Sequence, residues 1–238
     1  VKRIVGLDKS IIPACDVETL EDFKKLVEKT CGVEGIGGYK IGLALALAYG
    51  LPKLVETAAK LTDLPLIYDH QKAATDIPDM GEVFAKTCKT SGIGAVILFP
   101  QAGPATEEEW IRAAQKAGLG VIVGGEMTHP EYLDSDGGFI VNEAPSIIYR
   151  RAVELGVTDF VVPGNKPAKV RKYRQLIEEA NPGVKAAFYA PGFVAQGGVI
   201  SDAAKAAGER FHAIVGRGIY AASDMTTAAK EHAKAILG

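Results

Sequence analysis

The 238 residues are 47% hydrophobic and 24% charged, and 27 basic side chains against 29 acidic ones give a formal net charge of −2. That length predicts one domain over residues 1–238, and the composition excludes disordered and collagen-like chains. A balanced, slightly acidic chain argues against a nucleic-acid partner, which would need a broad basic surface.

The longest apolar run, Ile41 to Leu51, falls short of the ~20 residues a bilayer span needs, so no membrane partner is expected. The opening Val-Lys-Arg-Ile, followed by Asp8 and Lys9, does not read as a signal peptide. Cys15, Cys31 and Cys88 are odd in number and widely spaced, with no CxxC pair. They read as reduced thiols of a cytoplasmic protein rather than a disulfide framework or zinc site.

In chain order, the first β-favouring run is Ile11–Val17, followed by a helical stretch, Glu21 to Thr30, with Phe23, Leu26 and Val27 on one face. Further strand-like runs are Gly38–Leu43, Pro65–His70 and Ala95–Pro100. Thr106 and Glu109 read as a capping box ahead of Trp110, Ile111 and Ala114, in a helix ending at Gly118. The runs Val121–Met127 and Asp159–Gly164 come next, then a helix over Ala168–Ala180 carrying Val170, Tyr173, Leu176 and Ile177. Ala186–Pro191, Ala213–Gly218 and an alanine-rich helix over Ala221–Leu237 close the chain. The runs recur about every 29 residues and are nearly all apolar, as strands buried on both faces of a parallel sheet are.

Eight strand–helix units in this length predict an α/β fold, a (β/α)8 TIM barrel. The competing doubly wound sheet would place a glycine-rich loop after the first strand. Here Glu18 and Thr19 follow instead, and the glycines of 32–38 precede a strand.

In such barrels reactive groups stand at the C-terminal ends of the strands. That rule selects Asp16, Lys40, and the cluster Asp69, Lys72 and Asp76, then Glu126-Met127-Thr128-His129, Pro191-Gly192 and Gly216-Arg217. Lys40 lies inside Gly-Tyr-Lys-Ile-Gly-Leu, where an uncompensated charge is costly and a paired carboxylate is expected. The glycine-rich segment Pro191 to Gly198, with Gly197 and Gly198, followed by Gly216-Arg217, has the make-up of the phosphate pocket of these barrels. Asp134-Ser-Asp136-Gly-Gly fails as a calcium loop, since its fifth position is Gly138 and its twelfth Pro145. The four histidines lack metal-ligand spacing, and Lys166 to Arg174 reads as the solvent face of a helix.

These motifs, in this order, resemble the orotidine 5′-monophosphate decarboxylase family in its short microbial form. The resemblance rests on Asp16, Lys40-Ile-Gly42, Asp69…Lys72…Asp76-Ile77-Pro78, Glu126-Met-Thr-His-Pro130, Gln196-Gly-Gly198 and Val215-Gly-Arg217-Gly-Ile-Tyr220. The family's usual Asp-x-Lys-x-x-Asp carries one extra residue on each side of Lys72 here, and Met80 stands where a ribose-holding threonine is common.

The resemblance implies cofactor-independent decarboxylation of orotidine 5′-monophosphate to uridine 5′-monophosphate, with no metal. Lys72, Asp69, Asp76 and Lys40 would be catalytic. Asp16 and Lys40 would bind ribose, Thr128 the pyrimidine edge, and Gln196 both base and phosphate. Pro191, Gly197, Gly216 and Arg217 would surround the phosphate. Asp76 and Ile77 would reach the neighbouring site of a homodimer. Two alternatives stand beside this reading. One is a magnesium-dependent phosphosugar decarboxylase or lyase of the same barrel, which carries a glutamate where this chain has Lys40. The other is a nucleotide-binding barrel without turnover.

Overall fold

A computed structural model describes residues 3–70, 76–193 and 198–237. Eight parallel strands close into a barrel in sequence order: β1 (Lys9–Cys15), β2 (Tyr39–Ile41), β3 (Leu66–Asp69), β4 (Ala95–Leu98), β5 (Gly120–Gly124), β6 (Asp159–Val161), β7 (Ala187–Ala190) and β8 (Phe211–Val215). β8 returns to pair with β1, Ile12 opposite Ile214, so among the described residues each barrel strand is paired on both sides.

Around the barrel run α1 (Leu20–Thr30), α2 (Leu43–Tyr49), α3 (Leu51–Ala59), α4 (Met80–Thr90), α5 (Pro104–Lys116), α6 (Ala144–Glu154), α7 (Pro167–Ala180), α8 (Ile200–Ala207), α9 (Arg217–Tyr220) and α10 (Met225–Leu237). Among the described residues no helix is long and apolar enough to cross a membrane.

The strands read as apolar runs because each is buried on both faces. Ile12, Ile67, Ile97, Ile122, Val161 and Ile214 fill the barrel, whereas Ile11, Tyr39, Tyr68, Phe160 and Phe211 pack outward under the helices. Each such side chain contributes roughly 1.5–3 kcal/mol on burial. At the base, the Ser10 hydroxyl lies 2.8 Å from His212 Nδ1, and the Tyr189 hydroxyl donates to Asp159 at 3.1 Å. Burial, helped by nearby Arg210, pushes the His212 pKa down to about 3, so the ring is neutral.

Two local readings are corrected. α5 begins at Pro104 with Gly103 as its cap, so Thr106 lies inside the helix, and its hydroxyl donates to Asp76 O rather than capping. Gly103 has φ 124°, a left-handed conformation that lets the chain turn directly into Pro104. The C-terminal helix is split: α9 ends at Tyr220 and α10 starts at Met225, where the Asp224 carboxylate accepts the Thr226 and Thr227 N–H groups. Asp134–Asp136 forms one 3₁₀ turn after β5, closed by a bridge between Leu133 and Ile140.

Candidate active site

Strand alternation builds the mouth of the barrel. Along β1, Ile12 and Ala14 face inward, so Asp16, two residues on, faces inward as well. The same parity carries Ile67 to Asp69 on β3, and the pairing of Ala14 with Lys40, and of Lys40 with Ile67, turns the lysine into the barrel. The three groups meet: Lys40 Nζ is 2.8 Å from Asp69 Oδ2 and 3.1 Å from Asp16 Oδ1.

Asp69 is 1% exposed and Lys40 4% exposed. Burial lowers the lysine's pKa, but the Asp69 and Asp16 carboxylates outweigh it and hold the pKa above the usual value. Gly42 makes this approach possible, because a Cβ there would sit 2.4 Å from Asp16 Oδ1. The expectation of a paired carboxylate for Lys40 is therefore met twice.

These residues line a cavity of about 210 Å³, together with Phe99, Glu126, Thr128, Pro191, Gly192, Gly216, Arg217 and Tyr220. Arg217 is exposed and opens α9 directly after Gly216. Gly192 adopts φ 106°, and its carbonyl accepts the Gly198 N–H at 3.1 Å. A larger groove, about 660 Å³, lies between α4 and α5, but it is bordered by solvated charges such as Glu82, Lys86, Arg112 and Lys116 and holds no convergent set.

Asp76 and Ile77 do not line this cavity. Both are exposed, Ile77 by 60%, and their carbonyls are tied to α5. Lys72, Gln196 and Gly197 lie outside the described residues.

The sequence reading left one charged network unrecognised. Glu126 is 1% exposed just beyond β5, and Lys166 Nζ approaches its Oε1 at 2.9 Å. Lys169 Nζ lies 3.6 Å from its Oε2, and the Tyr173 hydroxyl donates to the same oxygen. Lys166 also donates to Met127 O at 3.3 Å, and Asn165 Nδ2 to Thr128 O at 3.1 Å. The stretch read as a solvent face thus sends two lysines inward to a buried carboxylate and ties down the backbone of Thr128. A partial signal was available, since Lys169 and Tyr173 stand i, i+4 on one face of α7 and Lys166 directly precedes it, but the spacing does not name the distant acid they meet.

Among the described residues no cluster of histidine, cysteine or acidic side chains has the arrangement of a metal site. Cys15 is buried behind Lys40, and burial pushes its thiol pKa well above the ordinary value, so it is no nucleophile.

Residues 9–232 match the orotidine 5′-phosphate decarboxylase / HUMPS family. Over 226 residues the chain is 33% identical to orotidine 5′-phosphate decarboxylase of Methanosarcina mazei, covering 95% of this chain and 94% of that one. The crystal structure of orotidine 5′-monophosphate decarboxylase from Methanocaldococcus jannaschii, complexed with the inhibitor BMP, superposes with a TM-score of 0.83 at 25% identity, covering 97% and 99% of the two chains. Orotidine 5′-phosphate decarboxylase from Pyrococcus horikoshii OT3 superposes with a TM-score of 0.78 at 27% identity, covering 96% and 99%.

Proposed function

The chain belongs to the orotidine 5′-phosphate decarboxylase / HUMPS family, and on that premise we propose that it converts orotidine 5′-monophosphate to uridine 5′-monophosphate and carbon dioxide, in the cytoplasm and without a cofactor, as a step of pyrimidine synthesis. The observation that carries this reading is the Asp16–Lys40–Asp69 array, with Lys40 and Asp69 buried and Asp16 part-exposed, sharing one barrel-mouth cavity with Arg217. A lysine on β2 also sets the site apart from the magnesium-dependent phosphosugar lyases of the same barrel.

In the reaction the bond from C6 to the carboxyl carbon breaks and its electron pair stays on C6, where the pyrimidine gives little resonance relief. A site that supplies no electron sink must act through charges already in place. Lys72, as an ammonium, stabilises that pair and then gives C6 its proton. Asp69 stands beside the substrate carboxylate, and departure of neutral carbon dioxide relieves their repulsion. At ~4 Å and an effective dielectric of 20 that repulsion is about 4 kcal/mol. Enzymatic accelerations commonly need ~8–23 kcal/mol, so stabilisation of the C6 charge supplies the larger share.

Asp16 and Lys40 bind the ribose hydroxyls, Thr128 reads the pyrimidine edge, and Gln196 bridges base and phosphate. Pro191, Gly197, Gly216 and Arg217 hold the phosphate, Arg217 through charge-assisted hydrogen bonds. The active unit is a homodimer in which Asp76 and Ile77 enter the partner's site, a role supported by their exposure outside this chain's own cavity.

The test is absorbance loss on adding orotidine 5′-monophosphate to EDTA-treated protein, with Lys72→Ala alongside. Metal-independent turnover that collapses in the variant is expected. Turnover surviving the substitution would reassign the proton donor. An inert wild type would overturn the reaction and direct attention to sugar phosphates with magnesium.

A further inference from the structure

The segment with the altered spacing has two described ends, and both meet on the same side chain. At the entry, alternation past Asp69 turns His70 outward, into the helical layer. Its ring centroid lies 4.4 Å from that of Phe84 on α4 and 5.5 Å from that of Trp110 on α5, stacked on the indole. Phe84 and Trp110 are themselves stacked at 4.8 Å.

At the exit, Trp110 Nε1 donates to Ile77 O at 3.0 Å. Thr106, one turn earlier on the same face of α5, donates its hydroxyl to Asp76 O at 3.1 Å. The first turn of α4 closes on the same indole: a Cβ at Gly81 would lie 2.9 Å from Trp110 Cδ1 and 3.0 Å from Trp110 Cα. Trp110 is 6% exposed and is the chain's one tryptophan. Hydrophobic burial alone would be satisfied by phenylalanine or leucine, whereas an indole adds a fixed donor.

We propose that Trp110, with Thr106, is a positioning residue for the reaction: α5 holds His70 and the backbone of Asp76–Ile77 in fixed relation, which sets where Asp76 stands. This rests on the decarboxylase reading above. The added residues make such a tie necessary, because a longer connection between Asp69 and Asp76 has more conformations to choose from. Two backbone carbonyls anchored on one helix fix the exit at Asp76–Ile77 without touching the substrate. Catalytic groups displaced by ~1 Å can lose about a hundredfold in rate, so the tie acts on turnover rather than on ground-state binding.

The experiment compares Thr106→Val, Thr106→Ser and Trp110→Phe with wild type by two readouts, amide hydrogen exchange and steady-state kinetics on orotidine 5′-monophosphate. Thr106→Val and Trp110→Phe are expected to speed exchange at residues 77–81 about tenfold, with the barrel strands unchanged, since each removes one hydrogen bond at unchanged fold. The same variants are expected to lower kcat about tenfold with KM within about threefold, and Thr106→Ser to restore both. Exchange at 77–81 and kcat both within about twofold of wild type would overturn the proposal. So would exchange rising equally across the whole barrel, which marks a purely structural residue. Should wild type fail to decarboxylate the substrate, the proposed function falls, and the exchange result still decides whether α5 holds this segment.

Discussion

Replacing Lys40 by methionine tests the electrostatics of the barrel mouth most directly. At an effective dielectric of 20, the 2.8 Å contact with Asp69 is worth about 6 kcal/mol and the 3.1 Å contact with Asp16 about 5 kcal/mol before desolvation. The second is the more screened, because the Asp16 side chain is 31% exposed. Desolvation offsets most of this gain, but deleting the cation takes away a counter-charge 2.8 Å from buried Asp69, which costs roughly 3–5 kcal/mol. In a chain of this size that lowers Tm by about 6–20 °C.

Urea unfolding followed by far-UV circular dichroism measures the loss, with an unchanged m-value as the check on two-state behaviour. The pH dependence has a definite sign. The Lys40 pKa is raised on folding, so its stabilisation is complete below about 10.5 and is lost as pH rises through the folded value. The gap between wild type and variant therefore stays level from neutral to mildly alkaline pH and closes above that point. Adding Asp69→Asn to the variant recovers much of the loss. A deficit under about 1 kcal/mol, or no recovery in the double variant, would refute the argument that a buried, mutually dependent charge array shapes this site.

Three further outcomes are expected. Mixing Lys72→Ala with Asp76→Asn protein after subunit exchange should restore about a quarter of wild-type activity, since half of the dimers are mixed and each of those holds one intact site; absence of restoration would place Asp76 in its own chain's site. Arg217→Ala should raise KM for the nucleotide about ten- to a hundredfold by deleting charge-assisted phosphate contacts, as read in initial-rate kinetics. His212, with its pKa pushed down to about 3, gives stability that is complete above about 6.5 and lost on acidification, about 2 kcal/mol by pH 5. Glu107 works the other way: burial lifts its pKa to about 8, so its contribution declines between about pH 4.5 and 8. The difference between wild type and His212→Gln, followed by urea unfolding at pH 5 and 7, isolates the histidine.

The strands were legible because burial on both faces writes an unbroken apolar run, and the rim followed from parity. Asp16 lies two residues beyond inward Ala14, and Asp69 two beyond inward Ile67, so the alternation that builds the core also aims the carboxylates. Lys40 announced itself by being a charge in a strand. What stayed hidden depends on contacts between distant segments. Nothing near Glu126 says that Lys166, forty residues later, turns inward to meet it. Thr106 followed by Glu109 satisfies the local rule for a helix start, but Gly103 and Pro104 begin the turn earlier and free the hydroxyl for Asp76 O. A local pattern was outbid there by a tertiary acceptor.

The isoleucine and valine layer between base and mouth has a consequence for how the enzyme can change over generations. Ser10, Tyr189, Asp159 and His212 form a polar group at one end of the barrel, and Asp16, Lys40 and Asp69 another at the opposite end. Ile12, Ile67, Ile122, Val161 and Ile214 stand between them like the dielectric of a capacitor. Substitutions at the base can then retune tolerance of acid while the charges that meet the substrate keep their potentials, so adaptation to a new environment need not pass through loss of the reaction.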